Sequence, residues 1–395
     1  VSDAGRLAPA ALLSCTALSA LGDYLAVTAL ALYVQQTSGS PITVSALMLA
    51  GLLPLVLFAP LAGAALDWFE ARRLVAATLA AQAVLATGLA FAQQLWQILV
   101  LVFLLGTAGA VTQNGLLALL PGLAPAGRLA KVNGWFEAGR AAGVTLGPPL
   151  GGIVATAWGP QAALLADAAT FAALCAALRL VPSRPPAVTK RAGRSGRDLT
   201  AGISHLVRHP RLRLALAVTT GVTFFLAGVN VAELFFATDT LRAGGAGYGL
   251  LVGMWGLGMV AGALAVGRWP PSGSPALMRL LAAAGIVAGV SVGVCGAIAL
   301  FPVAVAGWAL AGVANGVLNV TLRTLLHENV PVELHGRVFA AQYACYNAAK
   351  IAAMVTAGPV VVLLRPAGAV VAIGACTALV GVAGVLMNAI RTPRE

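Results

Sequence analysis

The chain has 395 residues, of which 60% are hydrophobic and 9% charged, with 24 Lys and Arg against 12 Asp and Glu. Its mean hydropathy of +0.93 excludes an ordinary soluble domain of this length. The net charge of +12 invites a nucleic-acid reading, but the basic residues are spread in a pattern that follows membrane topology instead.

Apolar runs near the roughly 20 residues needed to cross a bilayer fall at 8–33, 42–66, 74–92, 96–120, 132–156, 160–180, 213–238, 246–267, 276–299, 302–322, 337–364 and 367–390. Twelve spans are expected. The first is too long for a cleavable signal and carries Asp23 inside it, so it is read as a span. With the amino terminus cytoplasmic, 20 of the 24 basic residues fall on the inside; only Arg242 and Arg365 fall outside, and Arg140 and Lys350 lie within helices. Both termini are therefore expected in the cytoplasm.

The fifth run holds the most constrained stretch, GRAAGVTLGPPLGG from Gly139 to Gly152. Gly139, Gly143, Gly147 and Gly151 recur every four residues and would stack on one helical face, where another backbone can approach closely; Gly249 and Gly253 in the eighth run are spaced to receive them. Pro148 and Pro149 remove two backbone donors, tolerable in lipid only where neighbours satisfy the freed carbonyls. Arg140 is expected to face protein or water, and Glu137, one turn before it, to form a buried structural pair with it. Asp167 in the sixth run is a second candidate partner for Arg140.

A polar segment divides the runs six and six. The expected domains are a six-helix bundle over 1–181, a cytoplasmic linker over 182–212, and a second bundle over 213–395. Leu199, Ile203, Leu206 and Val207 give the linker's second half an amphipathic helical pattern. The halves repeat: Arg128 aligns with Arg337, Arg140 with Lys350, and Gly147-Pro148 with Gly358-Pro359, while Gly106 matches Gly312 and Pro125 matches Pro331. A duplicated six-helix unit is a transporter architecture, with a site expected near the midplane between the halves.

Asp23 and Glu233 lie in the first and seventh spans, which the repeat makes equivalent. A carboxylate facing a partly dry cavity can take a proton on one side and release it on the other, which makes both, with Glu137, proton-coupling candidates. Gln113, Asn114, Asn230, Asn315, Asn319, Gln342, Tyr343 and Asn347 are intramembrane polar groups for a substrate cavity, and Trp135, Trp255, Trp308, Phe224 and Phe225 are aromatic surface for an amphiphile. Either set serves equally as helix–helix packing. Cys15, Cys175, Cys295, Cys345 and Cys376 have no metal-ligand spacing and read as small core residues. There is no phosphate-binding G-x-x-x-x-G-K-[ST] loop and no H-E-x-x-H. His327 and Glu328 read as a surface pair, and no enzyme, metal or cofactor is expected.

Over nearly the whole chain the sequence resembles the major facilitator superfamily, in its drug:proton antiporter branch and near the enterobactin-exporter-like subfamily. Gly143, Gly147, Pro148, Gly151 and Gly152 fit the antiporter pattern G-x-x-x-G-P-x-x-G-G. GAALDWFEARR resembles the signature loop after the second helix through Gly63, Asp67, Arg72 and Arg73, with Trp68 where a basic residue is usual. LGDYLAVTALALYVQQTSGSP and DAATF resemble the subfamily, whereas the Arg-x-x-x-Gly signature of the fourth helix is absent. The resemblance implies an all-α fold of twelve transmembrane helices in two pseudo-symmetric six-helix bundles in the bacterial inner membrane. It also implies conformational gating by Gly63, Asp67, Arg72 and Arg73, with Asp67 near the start of the eleventh helix at Gly336-Arg337. The expected function is proton-coupled export of hydrophobic or amphiphilic small molecules, such as drugs or siderophore-like metabolites, by a monomer driven by the proton gradient without other cofactors. Lipid or lysophospholipid transport, and a non-transporting membrane sensor or scaffold, are the alternatives.

Overall fold

In a computed structural model of the chain, the described residues are 4–123, 129–180, 204, 206–269, 273–331 and 334–391. Among them the chain is helical between short turns. The helices are α1 (Ala4–Ser38), α2 (Pro41–Leu57), α3 (Ala59–Trp68), α4 (Ala71–Ala90), α5 (Leu95–Leu123), α6 (Leu129–Trp158), α7 (Pro160–Ala177), α8 (Pro210–Phe235), α9 (Gly244–Arg268), α10 (Ser274–Ile298), α11 (Phe301–Asn329) and α12 (His335–Arg391). A 3₁₀ turn, Leu178–Leu180, follows α7 and a π turn, Phe236–Thr240, follows α8. Nine helices among the described residues are long and apolar enough to cross a membrane.

Sequence chemistry sets the breaks. Gly159 and Gly273 stand at φ 82° and 83°, which only glycine adopts freely, and each immediately precedes a helix with proline in its first turn. The run expected at 42–66 is divided: Phe58 leaves helical geometry between α2 and α3, where Pro60 has no N–H to continue the ladder. The runs at 337–364 and 367–390 join in α12, interrupted by Arg365 at φ 61° before Pro366. Arg242 also has positive φ, so the two basic residues expected on the outside both sit at helix junctions.

The chain divides into two compact units. The first comprises residues 1–39, 46–190 and 245–253, so part of α9 belongs to it. Its core joins Leu12 of α1, Val75 and Leu79 of α4, Leu116 and Leu120 of α5, Phe136 of α6 and Phe171 and Leu174 of α7. The second comprises residues 40–45, 191–244 and 254–395. There α12 packs along α8 and α10, and α10 along α11. Most of the linker lies outside the described residues, including Leu199 and Ile203 of its amphipathic pattern; Leu206 is buried and Val207 exposed.

Large aromatic side chains stand out at helix ends: Trp68 (77% exposed), Phe69, Phe91, Trp96, Trp158 and Trp269. Such placement suits the polar–apolar boundaries of a bilayer.

Candidate functional site

In the first unit the glycine stripe lies against α1 rather than against α9. A methyl on Gly139 would stand 2.8 Å from Ala17 Cβ, on Gly143 2.7 Å from the Ala20 carbonyl carbon, on Gly147 2.6 Å from Tyr24 Cβ, and on Gly151 2.5 Å from the Leu25 carbonyl oxygen. The expected partners Gly249 and Gly253 meet the next face of α6: Gly249 abuts the Pro148 carbonyl, Gly253 faces Pro149, and Gly152 abuts the Gly245 carbonyl. The reason is geometric. A four-residue stripe covers one side of a helix, while Pro148, Pro149 and Gly152 lie on another.

Pro149 cannot bond the Thr145 carbonyl four residues back. That oxygen lies 2.8 Å from the position a Gly253 Cβ would occupy, so the carbonyl freed by proline is covered by a glycine of α9. The helix runs unbroken through both prolines.

Asp23 is half-buried on α1 and Asp167 almost wholly buried on α7. Asp167 Oδ1 comes within 2.7 Å of the place of a Gly22 Cβ, so only glycine lets this carboxyl pack against α1, one residue from Asp23. Each carboxyl lies within electrostatic reach of the other. Thr170, which the sequence reading passed over, donates its hydroxyl to the Asp167 backbone carbonyl at 2.7 Å and lies 3.4 Å from Oδ1.

Asp167 is thus not the ion-pair partner of Arg140. Arg140 Nε bonds Glu137 Oε2 at 3.1 Å on α6, and the side chains are 48% and 58% exposed, so the pair is a surface one rather than buried. An exposed (i, i+3) pair of this kind orients two side chains and contributes little to stability.

Glu233 does not face open space. It is 4% exposed, and the indole N–H of Trp308, on α11 and fully buried, donates to its Oε2 at 2.6 Å. Phe236 of the π turn stacks on the indole with ring centroids 5.8 Å apart. Trp308 is therefore not available surface for an amphiphile. Because both residues point into the packed interior of the second unit, the helical period that placed Glu233 in a span could not separate a core face from an open one.

The polar candidates divide. Gln113, Asn114, Asn230 and Tyr343 are exposed, and Asn315, Asn319 and Gln342 half-buried, with Asn319 Nδ2 donating to Asn315 Oδ1 at 3.0 Å. Asn347 is buried and donates to the Tyr343 carbonyl of its own helix, so it is a packing residue. Of the aromatic candidates, Trp135 is exposed and Trp255, Phe224 and Phe225 are half-buried. Sequence reading missed a buried polar group between α4 and α5, where the Thr112 hydroxyl lies 2.7 Å from Gln82 Oε1 and 2.8 Å from the Thr78 hydroxyl.

At the signature loop, Gly63 and Arg73 are exposed, Arg72 is half-buried, and Arg73 pairs with Glu70 at 2.9 Å. The Asp67 side chain and Arg128 lie outside the described residues. His327 packs on His335 and Phe339, with centroids 4.9 and 4.8 Å away, at the α11–α12 junction. All five cysteines are free, and no group able to hold a metal occurs among the described residues.

The profile of the Major Facilitator Superfamily matches residues 12–354. An uncharacterized MFS-type transporter of Sinorhizobium fredii is 28% identical over 83% of this chain and 82% of its own length. Macrolide efflux protein A of Streptococcus pyogenes is 22% identical, covering 82% of each chain. Among solved structures, the nucleoside transporter NupG superposes with TM-score 0.76 at 14% identity over 98% of this chain and 100% of its own. A bacterial homologue of the human lysosomal transporter Spinster gives TM-score 0.69 at 12% identity, covering 99% of this chain and 96% of its own.

Proposed function

This chain belongs to the Major Facilitator Superfamily, a multi-pass membrane transporter rather than an enzyme, and on that premise we propose that it is a proton-coupled exporter of hydrophobic or amphiphilic small molecules. The carrying observation is that the Asp167 carboxyl of α7 packs against Gly22 of α1, one residue from Asp23 and within electrostatic reach of its carboxyl. Like charges at close range in a poorly hydrated place cannot both ionise freely, so such a pair is suited to hold and pass a proton. The efflux relative supports the export direction.

In this reading the chain crosses the inner membrane twelve times with both termini in the cytoplasm, and works as a monomer by alternating access. Coupling requires proton and substrate to favour different conformations. The α6 glycines and prolines with α9, and the loop carrying Gly63, Asp67, Arg72 and Arg73, serve as gating elements, as the superfamily resemblance implies. Glu233 becomes the weaker coupling candidate, because a buried indole already occupies its carboxyl.

The test is uptake of a cationic and an uncharged fluorescent dye into proteoliposomes with an acid-inside gradient, comparing the native chain with Asp23→Asn, Asp167→Asn and Glu233→Gln. Gradient-driven uptake lost in a variant that still binds dye identifies the coupling acid. No gradient-driven uptake of either dye by folded protein inserted in both orientations overturns the reading.

A further inference from the structure

The repeat places Arg140 of α6 and Lys350 of α12 at corresponding positions, yet the two cations are treated differently. Arg140 has Glu137 three residues before it and pairs with it. Three residues before Lys350 stands Asn347, neutral, buried, and already donating to the Tyr343 carbonyl. Among the described residues no carboxylate lies within ion-pair distance of Lys350. Its ammonium instead sits 4.7 Å from the ring centroid of Tyr346, one turn away. The phenol of Tyr343 is within electrostatic reach of Lys350, and Arg323 of α11 is within reach of the Tyr346 phenol.

Two cations and two phenols therefore gather in one unit, with no carboxylate paired to either cation among the described residues. The group is accessible: Tyr343 is 60% exposed, Arg323 is exposed, and Lys350 and Tyr346 are half-buried. An ammonium inside a membrane span is costly unless paired, and the face of a tyrosine answers only part of that charge. An anionic oxygen would complete the pairing, with the lysine as point charge and the phenols as donors.

We infer that Lys350, Tyr346, Tyr343 and Arg323 form a binding site for the anionic group, carboxylate, sulfonate or phosphate, of an amphiphile whose apolar part lies along α12. This names a substrate class within the export reading and rests on it for transport, but the binding itself can be tested without any gradient.

The experiment uses the full chain in phosphatidylcholine nanodiscs with dansyl-undecanoic acid and its methyl ester as probes. The native protein should bind the acid about tenfold or more tighter than the ester, the step that one good charge pairing makes in affinity. Lys350→Met should remove that preference and leave ester binding unchanged, while Lys350→Arg should retain it. Equal binding of acid and ester by the native protein overturns the inference, and this comparison needs no variant. So does a Lys350→Met protein that keeps the preference. If Lys350→Met loses ester binding as well, Lys350→Gln replaces it under the same criteria. Adding phosphatidylglycerol separates two sources of the anion: displacement of the acid from the native chain assigns the site to a lipid headgroup, and lack of displacement assigns it to free amphiphilic anions. A chain that shows the acid preference but no gradient-driven dye uptake keeps this site and loses the exporter reading.

Discussion

Trp308 of α11 donates its indole N–H to Glu233 of α8 at 2.6 Å, with both side chains buried in the second unit. Removing the donor leaves a buried carboxyl without its partner, which costs about 1–3 kcal/mol. Trp308→Phe should therefore lower Tm clearly in detergent, while Glu233→Gln, whose amide oxygen still accepts from the indole, should lower it less. Thermal unfolding of the two variants side by side checks the order. Equal losses would mean that the carboxyl itself, not its acceptance of the indole N–H, is what matters at this point.

The α1–α6 contact depends on the absence of side chains. Gly143→Ala should destabilise by about 1–3 kcal/mol through overpacking, and Gly143→Val should abolish recovery of folded protein. A methyl added at Gly63 or Gly134 would meet nothing within 4 Å, so Gly134→Ala serves as the neutral control. Size-exclusion profiles after detergent extraction distinguish these outcomes.

On the other side of the same helix, Gly253 faces Pro149 and the Thr145 carbonyl. Gly253→Leu should push α9 away and reduce transport about tenfold or more while substrate binding stays within about threefold, because the substitution alters packing rather than a ligand contact. Dye binding and dye transport measured on one preparation separate the two effects.

The Asp23–Asp167 pair predicts a coupling defect. Asp23→Asn should abolish proton release on substrate addition and lower gradient-driven transport about tenfold or more, leaving downhill substrate exchange in place. Asp167→Asn should do the same if the two carboxyls share one proton. Proton release followed with a pH dye in weakly buffered detergent solution gives the answer; an Asp167→Asn protein with native release would leave Asp23 as sole carrier.

The Arg140–Glu137 pair is exposed, and Arg140→Ala should change stability by no more than about 1 kcal/mol. Thermal unfolding at low and high salt checks this, since screening should erase what difference there is.

Hydrophobic run length and charge asymmetry determined by themselves that this chain is an all-helical membrane protein, because the bilayer fixes span length and admits few backbone solutions. The tight α6 packing was legible for the same kind of reason: glycine every fourth residue admits a close neighbour whichever helix that neighbour is. Which helix it is, α1 for the stripe and α9 for Pro148 and Pro149, only the tertiary structure decided. The intramembrane acids show the same division. Their rarity marked Asp23, Glu233 and Glu137 as coupling candidates and Asp167 only as a partner for Arg140, because a lone sequence position carries no direction in space. The fold set Asp167 against Gly22, next to Asp23, closed Glu233 against Trp308, and left Lys350 on a tyrosine ring with no ion-pair partner among the described residues. Span length is a property of consecutive residues, whereas the partner of a buried charge is chosen by residues far away in the chain.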